Sequence, residues 1–300
     1  MPKRCAVSVD LDEICQYERI HGLLASSQHN LVYSTAVARF ANWAKAEALP
    51  ITWFIVGEAL DDEATRERLK QRYTAGDELA NHSEHHRYDL TRLDQGISSG
   101  EVRACNRRLQ DLTGETRFGF RAPGYVMSDE LAQILRENNA LYDSSVFPCP
   151  PYYAAKAAVI LGQRFVGRTS HSVLDHPRVL LSPTEPYAMG HHYWQRGNGL
   201  LELPITVSPL VRLPFIGTQL SLLGTRMANL LARSVASRDF VNLELHGIDA
   251  LDERDGLKEF SRVQPDLRIS WQNKLETFSR VLQTLKAVGF RFVTLRDAMK

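Results

Sequence analysis

Ligand chemistry is densest at Asn81-His82-Ser83-Glu84-His85-His86, which follows Glu78-Leu79-Ala80 and leads into the polar Arg87-Tyr88-Asp89. If the segment after His82 is helical, His82 and His86 lie four apart on one face and can ligate one metal ion. Two imidazoles alone make a poor site. A harder third ligand is wanted, with a position left for water, and Asp10-Leu11-Asp12 offers one. Among 10 histidines an HxxxH spacing arises easily as surface decoration, so the reading depends on what the rest of the chain brings to the same place.

The elements that must position these residues alternate. Ala6 to Val9 is β-prone and ends at Asp10, and the strand period of two turns Asp10 and Asp12 to one side. Residues 31 to 48 repeat apolar positions at helical spacing, and Ile51 to Gly57 reads as a buried strand closed by glycine. A charged helix from about Asp61 to Tyr73 stops at Gly76, and the strand Glu78 to Asn81 delivers His82. Further along, Glu101 to Leu112 and Asp129 to Asn138 read as helices. Phe118 to Arg121 and Ala140 to Phe147 read as strands, the first breaking at Ala122-Pro123-Gly124-Tyr125.

Residues 148 to 199, rich in proline and weak in periodicity, are expected to form an elaborated crossover, because a structureless loop that long is improbable in a compact domain. Leu200 to Pro204 and Phe240 to His246 are two more strands, the second placing Asn242, Glu244 and His246 on one face. Ser270 to Val288 is an amphipathic helix ended by Gly289, and Phe290 to Leu295 is expected to close the sheet. Strand and helix alternating seven or eight times predict an α/β fold, a parallel TIM-like barrel forming a single domain, with its site at the C-terminal strand ends. Asp10, Asp12, His82, Arg121, Asp143 and His246 all fall there.

At 300 residues and 44% apolar composition the chain can bury a sizeable core, and a net charge of +1 gives no reason to expect a nucleic-acid partner. Cys5, Cys15, Cys105 and Cys149 form no CxxC pair, and Met1 to Val9 holds no apolar run of signal-peptide length. The expectation is a reducing, cytoplasmic setting. Leu203 to Ala232 is interrupted by Pro204, Pro209, Arg212, Pro214 and Arg226, so it is too broken to span a bilayer. It reads either as a basic amphipathic edge resting on a membrane or as a core helix against the barrel, with the second preferred.

Taken together, these residues resemble the NodB-homology polysaccharide deacetylases, carbohydrate esterase family 4. Val9-Asp10-Leu11-Asp12 looks like the family's first motif in its D-x-D form, His82-Ser83-Glu84-His85-His86 like HSxxH, and Arg121-Ala122-Pro123-Gly124-Tyr125 like RxPxY. Leu245-His246 fits the strand that presents the last histidine. The resemblance implies a distorted (β/α)7 barrel holding a divalent metal, foremost Zn2+, with Co2+, Ni2+ or Fe2+ as alternatives. It implies that Asp12, His82 and His86 bind that metal, that Asp10 is the general base oriented by Arg121, that the Tyr125 backbone N–H stabilises the oxyanion, and that His246 protonates the leaving amine.

The expected substrate is an acylated amino sugar or glycoside intermediate, with peripheral membrane contact if it is lipid-linked. Alternatives are a deformylase of a lipid-linked amino sugar, an amidohydrolase of a small cyclic amide, and, in another class, a non-catalytic carbohydrate-binding barrel. Tyr17 and His21 are candidate substrate contacts on the first loop. Asp143-Ser144-Ser145 falls where the family's fourth motif should be without reproducing its tryptophan-containing form, and Asp143 is a candidate substrate contact or a residue that tunes His246. His85 should face away from the metal. Each residue taken singly also has a common structural role: Asp10 or Asp12 as a helix cap, Arg121 as a surface ion pair, Tyr125 as a turn aromatic, His246 as a core histidine.

Overall fold

A computed structural model describes residues 2–23, 30–165 and 171–300. The chain runs β1 (Arg4–Asp10), α1 (Ile14–Ile20), α2 (Val37–Glu47), β2 (Ile51–Ile55), α3 (Glu63–Thr74), β3 (Glu78–Asn81), α4 (Gln95–Thr113), α5 (Asp129–Glu137), α6 (Pro150–Phe165), β4 (Tyr187–Met189), β5 (Arg196–Glu202), α7 (Gly217–Val235), β6 (Phe240–His246), α8 (Trp271–Ala287) and β7 (Arg291–Val293), joined in places by short 3-10 and π turns.

β1 is the central stave. It pairs in parallel with β6 from Arg4↔Phe240 to Asp10↔His246, and on its other edge with β2 from Val7↔Ile51 to Asp10↔Phe54. β2 pairs with β3, and single parallel bridges then continue the wall through Asn81↔Phe120, Phe120↔Asp143 and Asp143↔Glu202. Thr206, just past β5, accepts from and donates to Asn242 of β6, which returns the wall to its start. The result is the expected distorted (β/α)7 barrel, with helices packed outside.

Two staves are thinner than the sequence suggests. Phe118 to Arg121 and the segment around Asp143 pair through isolated bridges only, Pro123 ending the first at once and Gly119 lying where a Cβ would meet the Tyr142 ring at 2.1 Å. β7 does not close the sheet. It pairs only with Arg4 to Ala6, below the point where β2 takes over the same edge, and so forms a strip at the barrel's foot.

The helices bury the faces their periodicity announces. On α8, Ser270 caps the first turn through the Asn273 N–H, while Leu275, Phe278, Val281, Leu282 and Leu285 are buried. α7 buries Leu220, Ala228, Leu231, Ala232 and Val235 in the same core, which supports the core-helix reading of that region. Phe215 is also buried, whereas Leu210, Val211, Leu222, Met227 and Leu230 remain exposed. Among the described residues no helix is long and apolar enough to cross a membrane.

The region 148 to 199 holds α6, a 3-10 turn over Pro177–Leu181 and the antiparallel pair β4 and β5; its residues 166–170 lie outside the described residues. α6 buries none of its residues fully and lies across the mouth of the barrel, where Pro151, Tyr152, Ala155, Lys156 and Val159 face a cavity.

Candidate metal centre and catalytic cleft

Adjacent parallel strands in register put their last residues side by side, so Asp10 of β1 and His246 of β6 meet at the C-terminal rim. Leu11 still donates to Phe54 of β2, which carries Asp12 up over the barrel mouth. β3 delivers His82 to the same rim, and the Asn81↔Phe120 bridge sets Arg121 beside it.

The segment after His82 is not helical, contrary to the expectation. Ser83 and His86 both adopt the left-handed region, at φ 66° and 51°, and the loop is fixed by its neighbours instead. Ser83 N–H donates to the Asn81 carboxamide, Gly57 and Glu58 N–H donate to the carbonyls of Ser83 and Glu84, and His85 N–H donates to Glu101. The pinned loop still brings both imidazoles to one point: His82 Nε2 and His86 Nε2 each lie 3.1 Å from Asp12 Oδ1. His85 turns away, as expected, to Glu101 at 2.8 Å.

His82 Nδ1 lies 2.7 Å from the Arg121 carbonyl, an acceptor, so Nδ1 carries a proton and the other ring nitrogen, Nε2, faces Asp12. All three meeting atoms are buried without a hydrogen-bond partner. Lone pairs facing one another at this distance repel unless protons or a cation lie between them, and a two-imidazole, one-carboxylate set is the donor chemistry of a hydrolytic zinc site. Asp12, His82 and His86 therefore fit a divalent cation. Burial works against the charged Asp12, but His86 and His82 outweigh it and hold the carboxyl well below its ordinary value. Burial likewise opposes a charged His82, and Asp10 and Asp12 raise it.

A second cluster stands beside the first. Arg121 Nη1 lies 2.5 Å from Asp10 Oδ1, and the guanidinium also donates to Ser144 O, Ser144 Oγ and Ser8 Oγ and lies over the Phe54 ring. Arg121 is 0% exposed and Asp10 1%, which rules out a surface ion pair. The free Asp10 oxygen, Oδ2, is 3.9 Å from His82 Nε2, close to the first cluster but outside it. Asp10, Glu244 and His246 form a group of their own.

Glu244 is the residue that sequence reasoning left without a role. Its Oε1 is 3.0 Å from His246 Nδ1, which also faces the Asp249 amide. A protonated Nδ1 belongs to Glu244, because that buried carboxylate has no other hydrogen-bond partner among the described residues. Burial disfavours the charged ring, yet Glu244 prevails and lifts the His246 pKa well above its ordinary value. The signal was present in the sequence: Glu244 precedes His246 by two positions on one strand, and so shares its face.

Two expectations need correcting. The Tyr125 N–H is not free for an oxyanion, because it donates to Ala122 O at 3.0 Å across a tight turn. Instead the Tyr125 hydroxyl reaches the centre, 3.0 Å from His246 Nε2. Asp143 touches neither the cavity nor His246. It is fully buried in the barrel wall, accepts from Ser145 Oγ at 2.6 Å, and pairs with the Glu202 carboxyl, burial and mutual repulsion keeping one proton on that pair.

Tyr17 and His21 are where the first loop was expected to put them, Tyr17 on α1 with its ring 6.1 Å from that of His246, and His21 at the end of that helix. Both line a cavity of about 380 Å³ over Asp10, Asp12, Tyr125 and His246, walled also by Tyr88 and Tyr152. A larger cleft of about 640 Å³ beside α5 and the β4–β5 pair contains none of these groups.

Residues 30–142 match the family model described as polysaccharide deacetylase. A peptidoglycan deacetylase-like protein of Gibberella zeae is 32% identical over 96 residues, a stretch that makes up 32% of this chain and only 28% of that protein's length. Among solved structures, an allantoinase superposes with a TM-score of 0.60 at 14% identity, over 98% of this chain and 88% of the other. A family 4 carbohydrate esterase from Streptomyces lividans, solved with acetate, gives 0.52 at 12% identity, over 98% and 93%. At such identities these two likenesses speak for the fold alone.

Proposed function

We propose that this chain, whose residues 30–142 match the polysaccharide deacetylase family model, is a member of that family and a metal-dependent hydrolase that removes an N-acyl group, foremost N-acetyl, from an amino sugar or glycoside intermediate. The observation that carries the reading is the meeting of two imidazole nitrogens with one carboxylate oxygen at 3.1 Å, buried and without other partners, beside a second carboxylate held by a buried arginine.

Asp12, His82 and His86 would hold a divalent cation, foremost Zn2+, which there would polarise the attacking water and the acyl carbonyl. Asp10 takes the proton from that water. Arg121 occupies one of its oxygens and leaves Oδ2 turned toward the metal cluster, so the base is held in place and aimed. His246, held protonated by Glu244, donates from Nε2 to the leaving nitrogen as the C–N bond breaks. The Tyr125 hydroxyl now at Nε2 marks the position that this nitrogen takes. Tyr17, Tyr88 and Tyr152 wall the cavity with aromatic surface and limit water beyond the attacking molecule.

A binding-only barrel would need neither Asp10 nor a charged His246, and so the catalytic reading is preferred. A cytoplasmic setting belongs to the same proposal, supported by four cysteines that are all free. The test is elemental analysis of the purified protein followed by amine release from N-acetylated sugars, with formamido sugars and cyclic amides in the same panel. Asp12→Ala is expected to lose both bound metal and turnover. Unchanged metal content and activity in that variant would overturn the reading.

A further inference from the structure

Among the charged groups lining the cavity, all but one are already answered. Asp10 is paired with Arg121, Asp12 meets two imidazoles, and His246 is set against Glu244. Burial depresses His21, which favours its neutral ring. The exception is Lys156 on α6. Its Nζ donates to the Gly124 carbonyl at 2.7 Å and lies 5.9 Å from the Tyr152 ring centre, and it has no carboxylate within ion-pair distance among the described residues. Asp175 acts on it from farther off, but that carboxylate already accepts from Tyr193, Met127 and His176.

An ammonium carries three donors, and one carbonyl answers only one of them. Burial pushes the Lys156 pKa down to about 8, so the side chain still carries its charge at neutral pH, and a cation placed in a cavity walled mainly by apolar and aromatic side chains without an ion-pair partner is costly unless a ligand supplies one. The Gly124 carbonyl that it holds lies in the turn carrying Tyr125, whose hydroxyl touches His246. An anion at Lys156 would therefore sit against the loop that shapes the reacting end of the cavity.

We infer that Lys156 is a specificity residue which recognises an anionic substituent of the substrate, a phosphate ester or a carboxylate, on the sugar that carries the amide or on its immediate neighbour. The inference rests on the deacylase reading above, and deepens it from acylated amino sugars in general to acidic ones. Since the cavity encloses both Lys156 and the Asp10–His246 pair, anion and amide must lie within one or two sugar rings of each other.

The experiment compares kcat/KM of the zinc-loaded protein for amine release from N-acetylglucosamine, N-acetylglucosamine 1-phosphate and N-acetylmuramic acid, in the wild type and in Lys156→Gln, Lys156→Met and Lys156→Arg. The wild type is expected to prefer at least one anionic sugar by about tenfold or more, mainly through KM, as a charge-assisted hydrogen bond allows. Which sugar is preferred separates phosphate from carboxylate.

K156Q keeps a donor for the Gly124 carbonyl and loses the charge, so it should bring the anionic-to-neutral ratio close to one, while K156R retains the preference. A lysine that only tethers Gly124 predicts the reverse, with K156Q like the wild type and K156M impaired equally on every substrate. That result, or a wild-type ratio of one, would overturn the inference. If no sugar is turned over, the deacylase reading fails by itself, and calorimetric binding of the same three sugars still tests Lys156: tighter binding of an anionic sugar that K156Q abolishes supports it, and equal binding refutes it.

Discussion

Replacing Arg121 by methionine tests the buried pair on which the proposed base depends. The substitution keeps the side chain's length and apolar stem, but leaves the Asp10 carboxylate, 1% exposed, without its partner at 2.5 Å, and removes the guanidinium donor from Ser144 O and Ser8 Oγ, while Ser144 Oγ keeps only the Asn242 carboxamide as a donor. Breaking a buried ion pair from one side costs roughly 3–5 kcal/mol, because an uncompensated charge remains inside. For a chain of this length that corresponds to a fall in Tm on the order of 5–10 °C. Thermal unfolding of the wild type, Arg121→Met, Asp10→Asn and the double variant forms a cycle. Since Asp10→Asn removes the stranded charge, the double variant should recover at least about 1 kcal/mol relative to Arg121→Met alone. A loss below about 1 kcal/mol in Arg121→Met, with turnover retained and no recovery in the double variant, would show that the pair neither holds the fold nor aims the base.

Glu244→Gln removes the charge that raises His246. A general acid works while protonated, so activity is lost as pH rises through its pKa. The basic limb of the kcat/KM profile should therefore move to lower pH in the variant, and an unmoved limb would deny Glu244 this part. The two faces of glycine give a check on packing. Gly119→Ala pushes a methyl into the Tyr142 ring at 2.1 Å and is expected to destabilise by roughly 1–3 kcal/mol in urea titration, whereas Gly100→Ala, inside α4 with open space around it, should stabilise by about 0.5–1 kcal/mol. Equal effects at the two positions would contradict the packing described for the 118–121 stave.

Local pattern was enough for the frame. Alternation of buried strands with amphipathic helices follows from residue spacing, since each element must bury one face, and the rule that parallel barrels present their sites at C-terminal strand ends placed Asp10, His82, Arg121 and His246 on one rim. Glu244 was legible by the same period of two, sitting on the face of His246. What only the tertiary structure decided depends on contacts between distant parts of the chain. Asp10 and Arg121 are 111 positions apart. The turn that brings His82 and His86 together is held by Asn81, Gly57, Glu58 and Glu101 rather than by helical propensity, so its left-handed residues could not be read from a four-residue spacing.

Asp143 stands at a strand end as Asp10 and His246 do, yet turns into the wall because Glu202 and Ser145 await it there. Lys156 comes from the stretch with the weakest periodicity, and acquires meaning only because α6 folds across the barrel mouth. Sequence determines which faces must be buried, a local and periodic demand. Which polar groups then face one another is set by how the staves close, a property of the whole barrel.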